Sequence, residues 1–185
     1  MKKFVLFAVI LIIAFASCQK IKSLANINFN IPFSQTVETP AIDGYNYGLP
    51  LPNGGATLPF PAVSVATNSQ ELFDKYHASS KNLVSARINN IDLQITSAGQ
   101  NFDFLDTIQL YISAQNLPEM LVAYQYNIPK GQTRVDLAIV PDKNLKEYVV
   151  KDSVTLRLNA HINALPKPGT QVMAEGVFRV TANPL

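Results

Sequence analysis

Apolar residues recur at every second position through most of this chain. Ile27, Phe29 and Ile31 alternate with asparagines, a period of two that places three apolar side chains on one face of a β-strand. Val84, Ala86 and Ile88 repeat the pattern, the phase slips at Asn89-Asn90, and it resumes at Ile91, Leu93 and Ile95. One extra residue in the count predicts a bulge or a bend there. Ile108, Leu110 and Ile112 form a further stripe, Met120 to Tyr126 another, and Val135, Leu137 and Ile139 another. In the longest, Val154, Leu156, Leu158, Ala160 and Ile162 alternate with Thr155, Arg157, Asn159, His161 and Asn163, which predicts a strand amphipathic along its whole length.

Turn chemistry separates these segments. Gln115-Asn116-Leu117-Pro118, Pro129-Lys130-Gly131-Gln132 and Pro166-Lys167-Pro168-Gly169 each combine residues that favour tight turns, and short connections imply antiparallel neighbours. The last segment, Gln171 to Thr181, carries Gly176, where a bulge would restore the face of Phe178 and Val180. Two short helical turns interrupt the rhythm. Asn68 with Glu71 forms a capping-box pattern ahead of Leu72, Phe73 and Tyr76, and Asp142 precedes Leu145, Tyr148 and Val149. Eight or nine such strands predict an all-β fold, an antiparallel β-sandwich that is Ig-like in the loose sense, with one or two short helical turns. The immunoglobulin cysteine pair around a tryptophan is ruled out by one cysteine and no tryptophan.

The stretch 39–62 departs from this rhythm. It holds Pro40, Pro50, Pro52, Pro59 and Pro61 with four glycines, so a regular ladder is not expected over it. It also keeps aromatic residues that a disordered linker would seldom carry. The expectation is an ordered loop that covers one end or edge of the sandwich, with Tyr45, Tyr47 and Phe60 as candidates for a partner-binding surface.

Composition narrows the class of protein. With 48% hydrophobic and 15% charged residues in 185, the chain is neither a disordered polyelectrolyte nor a polytopic membrane protein. Its 15 basic and 13 acidic residues include Lys2 and Lys3, which lie in a segment expected to be removed, leaving 13 of each. A neutral product without a basic run lacks the electrostatic footprint of a nucleic-acid binder.

That removable segment is the amino terminus. Met1-Lys2-Lys3 is a short positive region, and Phe4 to Ala16 is a run of 13 residues without a polar side chain. Crossing the ~30 Å of a bilayer's hydrocarbon takes ~20 apolar residues, so the run reads as a signal peptide and not as a membrane span. Phe15-Ala16-Ser17-Cys18 follows, with small residues leading to the only cysteine. This motif resembles the lipobox of bacterial lipoproteins, although leucine is commoner where Phe15 stands. The resemblance implies a lipidated Cys18, removal of residues 1–17, a tether over 18–23 and one domain over 24–185. It covers the first 22 residues, and the remainder is similar in pattern to the single-domain β-sandwich lipoproteins of Bacteroidota. Gln19-Lys20-Ile21-Lys22 offers neither an aspartate after the cysteine nor an acidic cluster, which by the same resemblance implies the periplasmic face of the outer membrane. Two or more acyl chains anchor durably, since each buried CH₂ contributes about 0.8 kcal/mol.

Candidate chemistry is sparse. His77 and His161 are the only histidines, without the spacing of a zinc site, and no nucleophile elbow or phosphate-binding glycine loop is present. Asn101-Phe102-Asp103-Phe104-Leu105-Asp106 offers oxygen ligands two and three residues apart, so Asp103 and Asp106 are the weak calcium candidates. No cofactor is implied. The sequence therefore points to a non-enzymatic binding or structural module of the cell envelope, facing an envelope protein or a glycan. A carrier holding a lipid between its sheets and a hydrolase with a loop-borne site stand as the alternatives.

Overall fold

The computed structural model describes residues 26–39, 51 and 54–183. Its core is two antiparallel sheets packed face to face, an all-β sandwich. One sheet has four strands in the order β1 (Ile27–Glu38), β10 (Gln171–Ala182), β4 (Leu83–Ile95) and β7 (Arg134–Asp136). The other has six. It runs from β2 (Ala56–Pro59) through β9 (Ser153–Ile162), β5 (Leu105–Ala114) and β6 (Leu117–Tyr126) to β8 (Ala138–Ile139), and β3 (Val63–Ala66) also pairs with β9. Alternation decides what goes inside. Phe29, Ile31 and Phe33 of β1, Val172, Ala174, Phe178 and Val180 of β10, and the five apolar residues Val154 to Ile162 of β9 are all buried.

The predicted slip at Asn89-Asn90 is a bulge, with Val177 paired to Asn90 while Phe178 pairs to Ile88. A second shift lies nearby, where Thr181 pairs with Ser85 but Ala182 with Leu83. It corrects the first stripe: Leu83 faces the core and Val84, pushed out by the extra residue, is 45% exposed. Gly176 is not a bulge. It stays in register between Phe33 and Ile91, and a Cβ there would lie 2.5 Å from Phe33 Cζ and 3.0 Å from the Asn90 carbonyl oxygen. The glycine makes room for the Phe33 ring, which packs against Phe178 with 5.0 Å between centroids.

The stripe Val135, Leu137 and Ile139 is not one strand but a crossing. β7 pairs with β4 in the first sheet and β8 with β6 in the second, and the buried Leu137 between them donates its N–H to the Ile91 carbonyl at 3.0 Å. Similarly, the proline-rich stretch does contain a ladder. β2 pairs with Asn159–Ile162, β3 with Ser153–Leu156, and the register slips by one residue between them. Edge strands tolerate proline because one side of their backbone needs no partner.

Both helices are short and neither is capped as the sequence suggests. At α1 (Ser69–Lys75), Asn68 sits at φ 47° and makes no side-chain cap. The Ser69 N–H goes instead to Thr67 Oγ1 at 3.4 Å, while the Thr67 hydroxyl donates to the Lys151 carbonyl. At α2 (Lys146–Val149), Asp142 lies in a left-handed turn at φ 59°, and Asn144 Oδ1 accepts from the N–H groups of Lys146 at 3.2 Å and Ala86 at 3.1 Å. Tyr148 of α2 is buried and donates its hydroxyl to the Pro118 carbonyl at 2.6 Å; burial pushes its pKa up. No described helix is long and apolar enough to cross a membrane.

Candidate functional site

The outer face of the six-stranded sheet is built from the alternate positions of three strands. On β9 these are Thr155, Arg157, Asn159 and His161; on β5, Thr107, Gln109, Tyr111 and Ser113. Register sets them side by side, with His161 opposite Thr107, Asn159 opposite Gln109 and Arg157 opposite Tyr111. Across β5 the rows continue into β6, where Thr107 meets Tyr126, Gln109 meets Tyr124 and Tyr111 meets Leu121. Three tyrosines, two amides, a histidine and an arginine thus share one face.

These side chains hold one another. The Tyr124 and Tyr126 rings lie 5.0 Å apart between centroids, tilted by 37°, and Tyr126 is 47% exposed. The Tyr111 hydroxyl donates to Gln109 Oε1 at 3.2 Å, and the Arg157 guanidinium lies 4.6 Å from the Tyr111 ring centroid. Arg157 also donates from Nε and Nη2 to the two carboxylate oxygens of Glu119, at 2.8 and 2.6 Å. That bidentate bond holds the Glu119 carboxyl below its ordinary pKa and raises that of Arg157, so the pair stays charged and mutually neutralised. The result is a face of aromatic rings, amides and hydroxyls with its charges tied up locally.

The expected site residues fall elsewhere. Cys18, the signal peptide over 1–17, Tyr45 and Tyr47 lie outside the described residues. Phe60 requires a correction: it is 4% exposed and donates its N–H to the Leu158 carbonyl at 3.0 Å, so it is part of the core and not a partner-binding surface. Its flanking prolines put it at the break between β2 and β3, and its ring fills the space between the sheets. His77 follows α1 at φ 50° and is exposed.

Asp103 and Asp106 turn to different partners. Asp103 Oδ1 accepts from the Gly131 N–H at 2.5 Å and its carbonyl from Lys130 Nζ at 2.5 Å, which fastens the β6–β7 turn. Asp106 Oδ1 accepts from Asn163 Nδ2 at 2.7 Å, and its Oδ2 lies 3.5 Å from His161 Nδ1. Among the described residues no group of three or more histidine, cysteine, aspartate or glutamate side chains is arranged to hold a metal. A pocket of about 330 Å³ is bordered by Asp103, Asn101, Gln100 and Lys167 but by neither Asp106 nor His161.

Two of the three tyrosines are hidden from a reading of phase alone. Met120, Val122, Tyr124 and Tyr126 share one parity, but Leu110 pairs with Ala123 while Tyr111 pairs with Leu121, so Val122 is an extra residue. Val122 and Ala123 are both buried, and Tyr124 and Tyr126 change faces. Compared with known proteins, the chain matches no family model, and no curated protein matches it significantly.

Proposed function

We propose that this protein is a lipid-anchored module of the cell envelope, held by Cys18 at the periplasmic face of the outer membrane, that binds an envelope glycan without catalysis. The observation that carries the reading is the outer face of the six-stranded sheet, where Tyr111, Tyr124 and Tyr126 share a surface with Gln109, Asn159 and His161. A sugar ring presents a C–H face and an equator of hydroxyls. Tyrosine supplies the apolar surface for the first at low entropic cost, and planar amides supply donors and acceptors for the second. The pairing of Arg157 with Glu119 neutralises the two charges beside Tyr111.

The interior supports binding at the surface over carriage within. The space between the sheets beside Phe60, Phe102 and Leu158 amounts to about 10 Å³. That is about the volume needed for one water, whereas small-molecule sites measure about 300–1,000 Å³.

Two measurements test the reading. Palmitate supplied to cells should label the wild-type protein and not Cys18→Ser; unlabelled wild-type protein would remove the anchor. Cell-wall glycan should sediment the protein, and Tyr124→Ala/Tyr126→Ala should weaken that on the order of tenfold or more, since each stacked ring contributes about 0.5–1.5 kcal/mol beyond its area. Undiminished sedimentation of a folded double variant would overturn the choice of surface.

A further inference from the structure

The opposite face of the molecule carries two arginines side by side. On the outer side of the four-stranded sheet, Arg87 of β4 and Arg179 of β10 are direct cross-strand partners. Like charges placed opposite one another destabilise a sheet, and such pairs commonly have acids interleaved. Here none is. Among the described residues neither arginine has a salt bridge; Glu175, Asp92 and Asp136 form a row of their own further along the sheet with Arg134 bound to Asp92 at 2.9 Å, and Asp142 borders the adjoining pocket that Arg87 also lines.

The arginines border a concavity of about 420 Å³ that also takes in Asn28, Ser85, Asn89 and Thr181. The bulge at Asn89 bends β4 beside it. Two guanidinium groups, the Ser85 hydroxyl and the Asn89 amide therefore border one hollow, at whose side the Thr181 hydroxyl donates to Asn28 Oδ1 at 2.8 Å. Guanidinium matches the geometry of a phosphate and binds it through paired N–H donors, with hydroxyls and amides completing the shell.

We infer that this pocket binds the phosphodiester of an anionic phospholipid headgroup and so seats the domain on the membrane that anchors it. The source of the phosphate follows from the chain. Asn28, which lines the pocket, stands ten positions after Cys18, a span of at most about 35 Å even fully extended. Lys20 and Lys22 lie in that span. Val84, adjoining Ser85 and turned outward by its bulge, places an exposed apolar side chain next to the same hollow. The inference rests on the lipid anchor proposed above but not on the glycan surface, which belongs to the other sheet. With the basic pocket toward the bilayer, the tyrosine face is turned away from it.

The test uses the full chain with vesicles of phosphatidylcholine alone and of phosphatidylcholine mixed with phosphatidylglycerol. Amide hydrogen exchange around Ser85–Arg87 and Phe178–Thr181 should slow on the order of tenfold in the anionic vesicles relative to the neutral ones, as expected for two cations near a charged surface. Arg87→Gln/Arg179→Gln should abolish that difference while exchange in β5 and β9 stays unchanged, a control for folding. Equal exchange in both vesicles, or a difference that survives in the double variant, overturns the inference. Inorganic phosphate forms the second arm: slowing by phosphate alone, with none from phosphatidylglycerol, also overturns it. Flotation reads the anchor separately. A chain that fails to float with neutral vesicles has lost the tether reading, and flotation with anionic vesicles that depends on both arginines still upholds the pocket, whereas none overturns it.

Discussion

Gly176 shows how one side-chain hydrogen can decide a register. Replacing glycine by alanine in a strand ordinarily stabilises a protein, because the unfolded chain loses freedom. In β10 the added methyl would meet Phe33 Cζ at 2.5 Å and the Asn90 carbonyl at 3.0 Å, and neither Phe33, 7% exposed, nor the β4 backbone has space to retreat. Overpacking of this kind costs about 1–3 kcal/mol. Gly176→Ala is therefore expected to lower the denaturation midpoint, and Gly176→Ala combined with Phe33→Leu to recover part of the loss. A stabilised Gly176→Ala would show that the Phe33 ring is free to move.

At the scale of elements, the pair Glu119–Arg157 joins β6 to β9 across the intervening β5, so it contributes to the order of strands as well as to the face they form. The hydrogen bond from Arg157 lowers the Glu119 pKa in the folded state relative to its ordinary 4.5. The stabilisation is then complete above the unfolded value and is lost as pH falls through the lower folded one. Because both side chains are partly exposed, its size is under about 1 kcal/mol. Thermal melts of wild type and Glu119→Gln should differ at neutral pH and converge below pH 4.5; a gap that persists in acid would mean the glutamate acts by packing alone. Strand existence was legible in the sequence because each strand's alternation is a local property. β1, β4, β5, β9 and β10 all occupy the predicted segments, and the bulge at Asn89 could be counted from the phase slip. Which sheet a strand joins, and which way its side chains point after a bulge without a polar marker, are set by partners far away in sequence. Leu137 therefore reads as the middle of a strand though it lies at a crossing, and Met120 to Tyr126 reads as one stripe though the extra residue Val122 turns Tyr124 and Tyr126 to the other face. The helix caps failed for a related reason: Thr67 and Asn144 are held by long-range bonds to Lys151 and Ala86 that no local pattern announces.

In the molecule as a whole, the two sheets divide the work proposed for them, the four-stranded one meeting the bilayer through Arg87 and Arg179 and the six-stranded one presenting tyrosines to the opposite side. This arrangement needs a rigid body between the two surfaces, and the close packing of the two sheets around Phe60, Leu93 and Phe102 contributes to it. The crossing at Leu137 contributes as well, since β7 and β8 fasten the sheets together at one margin. At the other margin the four-stranded sheet ends in β1, whose 12 residues pair on one side only among the described residues. Such an edge invites a second copy to zip alongside, and chains held by the proposed anchor would meet at high local concentration in the plane of the membrane. Pro32 sits near the middle of that row and has no N–H to offer. Pro32→Thr should leave the fold intact and raise dimer and aggregate content in light scattering; an unchanged size distribution would mean that something else guards the margin. A single imino acid would then be what lets neighbouring copies remain separate when the proposed anchors hold them shoulder to shoulder.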